Sequence, residues 1–166
     1  YITEEYEIRG YSVRLYEAPP DDLPVYSFGD QFEVMIGEES PLVCVSDKAI
    51  RVTTWWRLVQ TPTLDYSFGL YLYRGEEFIT QTDDRLVLQG QPTSRWGTAE
   101  TFTPVILSLE LPQHVNDGDY ELMLGVYYWE DETRLPITGD QQQQIDAERV
   151  LLRVAAIHIE KNACVS

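Results

Sequence analysis

Hydrophobic and polar residues alternate along most of this chain. In "QFEVMI" (31–36), Phe32, Val34 and Ile36 share one side. In "AIRVTTWWRLVQ" (49–60), Ile50, Val52, Thr54, Trp56 and Leu58 share one side, and Arg51, Thr53, Trp55 and Arg57 the other. "DYSFGLYLYRG" (65–75) sets Tyr66, Phe68, Leu70 and Leu72 together and ends at a glycine turn; "EEFITQTD" (76–83) reads as the return strand of that hairpin. "TFTPVILSLELP" (101–112) aligns Val105, Leu107, Leu109 and Leu111. "GDYELMLGVYYWE" (118–130) aligns Tyr120, Leu122, Leu124, Val126 and Tyr128, with Met123, Gly125, Tyr127 and Trp129 opposite them. A period of two sends successive side chains to opposite faces of a strand. Strand after strand with one polar face predicts antiparallel sheets packed face to face.

The two ends of the chain read less simply. "YEIRGYSVRLYE" (6–17) predicts a strand, stopped by "APPDDLP" (18–24) because proline cannot donate to a ladder. "DAERVLLRVAAIHI" (146–159) holds good helix formers, yet Val150, Leu152, Val154 and Ala156 also alternate. A strand is favoured there, since every other element is one. The expected fold is an all-β, immunoglobulin- or fibronectin-III-like antiparallel β-sandwich of seven to nine strands. Residues 26–166 would form the sandwich and residues 1–25 an N-terminal strand or appendage, part of the same domain or beside it.

Within "NDGDYEL", a glycine stands two residues ahead of a tyrosine at the entry of the penultimate strand. That spacing resembles the tyrosine corner of Greek-key sandwiches, in which the hydroxyl bonds back to upstream backbone. Gly118 and Tyr120 are therefore read as structural. Trp56 joins them on the apolar side of its strand, while its neighbour Trp55 is expected outside.

Composition narrows the function classes. The 166 residues are 43% hydrophobic, enough for one domain with a core. Aromatics reach 12%, with eleven tyrosines, which favours strands. Twenty-eight acids against 12 bases leave a net charge of −16. Such a field repels phosphate backbones, so nucleic acid and anionic membrane surfaces are excluded as partners. No apolar run approaches the length of a membrane span, so membrane attachment would run only through a parent chain. The chain begins at Tyr1 and reads as an excised piece of a larger protein. Cys44, in "PLVCV", reads as a small core residue and Cys164 as an exposed one; their pairing stays open. Neither belongs to a C-x-x-C pair, which excludes zinc ribbons and thioredoxin chemistry.

Candidate chemistry is sparse. His114 and His158 have no Cys or Asp at ligand spacing. No serine has a nucleophile-elbow context. Asp83 with Asp84, Asp117 with Asp119, and Glu130 to Glu132 read as solvated loop acids rather than a calcium site. No catalytic, metal or cofactor-binding residue is assigned. A row of rings, Trp55, Tyr71, Tyr73, Tyr127 and Trp129, joined by the loop residue Trp96, reads as a face for a glycan or protein partner. Large rings offer a flat apolar area on which a pyranose can stack. The competing reading is that residues 1–25 or another domain cover that face. Loops 84–100 and 130–145 carry Arg85, Arg95, Glu100, Glu130, Asp131, Glu132, Arg134 and Asp140. Brought together, they would set acids and arginines beside Trp96 and Trp129.

Residues 52–135 combine, in order, "VTTWWRL", "DYSFGLYLY", "QTDD", "GQPTSRW", "LELP", "DGDYELMLGVY" and "RLP". This order resembles the extracytoplasmic β-sandwich that follows the membrane-spanning part of certain bacterial glycosyltransferases of the protein-mannosyltransferase type, notably in Chloroflexi-like genomes. The matching positions are Trp56, Asp65 to Ser67, Pro92, Thr93, Trp96, Leu111, Pro112, Gly118, Tyr120, Leu122, Gly125, Tyr127, Arg134 and Leu135. The doubled Trp55–Trp56 and the acidic first 45 residues depart from the pattern. The resemblance implies a non-catalytic accessory domain at the extracytoplasmic face, with catalysis left to membrane helices outside this chain. It would orient an acceptor or hold a partner. It further implies that Trp96 plugs the open end of the sandwich and that Gly125 permits a close approach. Two other readings stay open: a free-standing carbohydrate-binding module using the aromatic face, and a hydrolase with an unrecognised carboxylate pair.

Overall fold

The alternating set Ile50, Val52, Thr54, Trp56 and Leu58 is buried, and the strand that carries it is central to one of two packed sheets. A computed structural model describes residues 2–8, 11–16, 22–37, 49–88, 90–139 and 141–159. Cys44 and Cys164, and with them any pairing, lie outside the described residues, as does Asp140. The described strands are β1 (Ile2–Ile8), β2 (Tyr11–Tyr16), β3 (Val25–Phe28), β4 (Phe32–Ile36), β5 (Ala49–Leu58), β6 (Tyr66–Arg74), β7 (Glu77–Arg85), β8 (Val87–Leu88), β9 (Gln91–Pro92), β10 (Thr103–Glu110), β11 (Gly118–Tyr128), β12 (Ile137–Gly139), β13 (Ile145–Asp146) and β14 (Leu151–Ile159). No described helix is long and apolar enough to cross a membrane.

One five-stranded sheet runs β10-β5-β4-β3-β12 and the other β13-β14-β11-β6-β7. Every pairing among them is antiparallel. Lettering β4, β5, β6, β7, β10, β11 and β14 as A, B, C, C′, E, F and G gives sheets A-B-E and C′-C-F-G. This is the strand arrangement of an immunoglobulin-like sandwich. The expected all-β antiparallel sandwich is the fold of this chain. Eight strands of four or more residues carry the two sheets, and the short β12 and β13 extend their edges.

The core is filled from both sheets. Phe32 meets Trp56, Tyr66 and Trp96 edge to face, at ring separations of 6.2, 5.6 and 5.8 Å. The buried indole of Trp56 donates to Thr54 Oγ1 at 2.7 Å, and that hydroxyl donates to the Val105 carbonyl at 3.0 Å. Neither polar group is left unpaired in the core, which would cost about 1–3 kcal/mol. At the sandwich end a short 3₁₀ turn, Thr93–Arg95, docks through buried Thr93. Thr93 accepts from the Tyr66 amide at 2.8 Å and donates to the Leu64 carbonyl at 3.0 Å. Ser94 N donates to Asp65 at 3.0 Å, and hydrogen bonding from Ser94 holds the Asp65 carboxyl below its ordinary range. The turn delivers Trp96 into the core with its indole donating to the Gln91 carbonyl at 2.8 Å.

The tyrosine corner is present. The hydroxyl of buried Tyr120 donates to the Asn116 carbonyl at 2.7 Å. Gly118 opens the strand at a φ of +144°, a conformation that favours glycine.

Four expectations change in detail. Residues 6–17 do not form one strand: β1 and β2 pair with each other as a separate two-stranded sheet. The four-residue β3, unforeseen in the sequence, pairs with β4. The segment 146–159 is strand over Leu151–Ile159, but its alternation breaks at a bulge between the partners of Leu122 and Met123. The extra residue there shifts the phase, so Ala156 is exposed and Ala155 and Ile157 face the core. Finally Trp55, expected outside, is only 5% exposed. It lies on a central strand directly between Met35 of β4 and Pro104 of β10, close enough for both to cover it.

Candidate functional site

The outer face of the β6–β11 pair carries a bare patch. Gly69 and Gly125 stand directly opposite each other across the two strands. A methyl on Gly69 would lie 2.2 Å from the Tyr71 hydroxyl, and one on Gly125 would lie 2.9 Å from Leu151 and 3.7 Å from the Tyr71 ring. The missing side chain at Gly69 makes room for Tyr71 to lie along the sheet, and the one at Gly125 makes room for Leu151, which packs with Tyr71 and Met123. Arg134 covers the ring, its guanidinium 5.2 Å from the ring centroid, with Nη2 donating to the Tyr71 hydroxyl at 3.2 Å. Nη1 of the same side chain donates to the Arg149 carbonyl. Burial raises the Tyr71 pKa, and Arg134 partly offsets that.

Local folding places Arg134. The β11 strand turns at Trp129 to Glu132 and comes back, with a bridge between Tyr127 and Arg134. Tyr128 N donates to Thr133 O at 3.0 Å and Glu132 N to Tyr128 O at 2.9 Å. Glu132 takes a φ of +59°, left-handed for a residue with a side chain.

Tyr127 leans across the bare patch. Its strand partner is Ser67, yet its hydroxyl donates to Asp83, whose own strand partner is Gly69. The distance is 3.1 Å. Gln81 Nε2 donates to the other Asp83 oxygen at 2.6 Å. Burial, then the Asp83 charge, pushes the Tyr127 pKa up to about 12. Tyr127 is therefore a neutral hydrogen-bond donor at neutral pH, and Asp83 is held by two donors. Tyr71, Gln81, Asp83, Tyr127, Trp129, Glu132 and Arg134 line an open cleft of about 620 Å³. Trp129 stands at 60% exposure.

Of the rings expected to form one row, three meet here: Tyr71 low in the cleft, Tyr127 and Trp129 above it. Tyr73 is on the same sheet but is capped by Arg149, whose guanidinium sits 4.8 Å from its centroid and pairs with Glu76 and Asp146. Trp55 belongs to the other sheet, and Trp96 is a core residue at 5% exposure, so neither presents an open ring. The two long loops do not supply one joint site: from loop 130–145 only Glu132 and Arg134 line the cleft, and from loop 84–100 nothing does. Gln81 and Asp83 were not foreseen as partners of the rings. Their period-two spacing after "EEFIT" was the available signal, but a bulge between the partners of Leu72 and Tyr73 hides which face they take.

A cleft with two accessible rings, a fixed carboxylate, an amide and neutral phenols can stack an apolar ring face and hydrogen-bond to hydroxyls around it. No family model matches the chain, and no curated protein shows a match to it.

Proposed function

We propose that this chain is a non-catalytic β-sandwich module that holds a glycan in the Tyr127–Trp129 cleft. The observation that carries the reading is the pairing of an exposed indole with the pre-oriented Tyr127–Asp83–Gln81 hydrogen-bond row on one open face. Pre-orientation lowers the cost of ordering these groups on binding. Asp83 and Glu132 are open to water, unlike carboxylates tuned for acid–base catalysis in closed pockets. The resemblance to the sandwich of protein-mannosyltransferase-type enzymes would make the module an extracytoplasmic accessory domain of a larger membrane-bound glycosyltransferase, and its glycan the acceptor. A free-standing carbohydrate-binding module uses the same cleft.

The test is a glycan array probed with the purified chain and with Trp129→Ala. Retention of a defined set of glycans, lost in the variant at an unchanged denaturation midpoint, is the expected result. No retention, or retention indifferent to Trp129, overturns the reading. Sequence upstream of Tyr1 in the gene then separates the two settings: several apolar spans fit the accessory domain, their absence the free-standing module.

A further inference from the structure

The charges of the cleft are unevenly committed. Three cations elsewhere are paired with acids: Arg57 with Glu33, Arg149 with Glu76 and Asp146, Arg153 with Glu121. The cleft does the reverse. Asp83 and Glu132 line it and neither forms an ion pair with a cation among the described residues. Arg134, the one cation among the described lining residues, is half-buried and turned to the floor. Its guanidinium covers Tyr71 and donates to the Tyr71 hydroxyl and the Arg149 carbonyl. The mouth is left with two exposed carboxylates beside the rings of Tyr127 and Trp129.

We propose that the glycan held in this cleft carries a free amino group, its ammonium seated against Asp83 while the sugar ring lies on Trp129. The proposal rests on the glycan-binding reading above and names the class of sugar. Each Asp83 oxygen accepts one bond within the protein, from Tyr127 or from Gln81, and a carboxylate oxygen has capacity for a second. An ammonium brings three donors to that remaining capacity and no acceptor. The π faces of tyrosine and tryptophan attract the same charge. A neutral N-acetyl group brings a single amide N–H donor and no charge, and an acidic sugar would meet two carboxylates. The net charge of −16 adds a long-range attraction of the same sign.

The test compares oligomers of glucosamine with the N-acetylated oligomers of equal length, by titration calorimetry at fixed ionic strength. Asp83→Asn and Glu77→Gln are run beside the unaltered chain. Glu77 is exposed at the start of β7, toward the opposite end of that strand from Asp83 and outside the lining of the cleft, and its substitution removes the same charge. The expected result is about tenfold or greater preference for the free amine, abolished by Asp83→Asn and kept by Glu77→Gln. Equal affinity for the two oligomers, or preference for the acetylated one, overturns the ammonium site while the glycan reading stands. Equal losses from the two substitutions also overturn it, because bulk attraction alone would then account for the preference. Binding of neither oligomer overturns it, and if the array is blank as well the glycan reading falls with it. A lysine-rich peptide that binds in the cleft when neither sugar does would assign the carboxylates to a protein partner, against the proposal.

Discussion

The hydroxyl of Tyr127 reaches across β6 to Asp83, which stands in the row in which Gly69 and Gly125 face each other. A side chain at Gly69 would intrude on the space that Tyr71 occupies, and one at Gly125 on the space of Leu151, which packs with Tyr71. The geometry of the cleft is therefore set by two residues that contribute no side chain to it.

Gly69→Ala should disturb both stability and the cleft. The added methyl would meet the Tyr71 hydroxyl at 2.2 Å, and Tyr71 is held down by Arg134. Overpacking of this kind costs about 1–3 kcal/mol. Urea denaturation should show a lowered midpoint at unchanged slope. In a Tyr71→Ala background the same substitution should cost little; an undiminished cost would place the strain elsewhere.

Tyr120→Phe should cost about 1–3 kcal/mol, because the Asn116 carbonyl loses its partner at the crossover between the sheets. An unchanged midpoint would remove the tyrosine corner from the account of stability. The affinity of the cleft should not change, since Tyr120 faces the core.

Tryptophan quenching reports the four indoles separately. Trp55, Trp56 and Trp96 are 5%, 1% and 5% exposed, against 60% for Trp129. Acrylamide should reach Trp129 almost alone, and Trp129→Phe should remove nearly all of the accessible fraction. A large quenchable fraction remaining in that variant would mean that Trp55 or Trp96 opens in solution. A bound glycan should protect the same indole.

The sandwich was legible because burial of one face repeats with the strand period. The inward sets of β4, β5, β6 and β11 are the alternating sets of the sequence. Trp96 shows how a loop motif can carry meaning: "PTSRW" docks through Thr93 and seats the indole in the core, bonded to the Gln91 carbonyl. What escaped depends on register. Ala156 changed sides because one bulge shifts every later residue of β14. Trp55 is buried through its neighbours on two adjoining strands, and no single-strand pattern encodes them. The cleft is hidden for the same reason. Asp83 meets Tyr127 through three strands, and Arg134 reaches Tyr71 by the return of a turn, contacts spanning 44 and 63 positions of the chain. Hydrophobic periodicity assigns a face, but it does not say which polar side chains on that face stand together.

The Tyr127–Asp83 bond should also be visible in alkaline stability. Burial is the larger cause of the raised Tyr127 pKa and the Asp83 charge the next; both favour the neutral phenol, which titrates at about 12 instead of the ordinary 10.0. The folded state therefore keeps a proton that the unfolded chain has already lost between those values. The sign follows from linkage: where the folded state binds more protons, stability falls as pH rises. This contribution is fully present below pH about 10 and is lost as pH approaches about 12. Tyr127→Phe has no such proton, so its urea midpoint should fall less steeply across that window than that of the unaltered chain. Asp83→Asn removes the charge and leaves the burial, so its slope should lie between the two. The other tyrosines titrate in all three proteins, which makes the comparison one of differences. Parallel midpoint curves for the three would show that Tyr127 does not hold its proton against Asp83, and that Asp83 lacks the fixed donor that the cleft depends on.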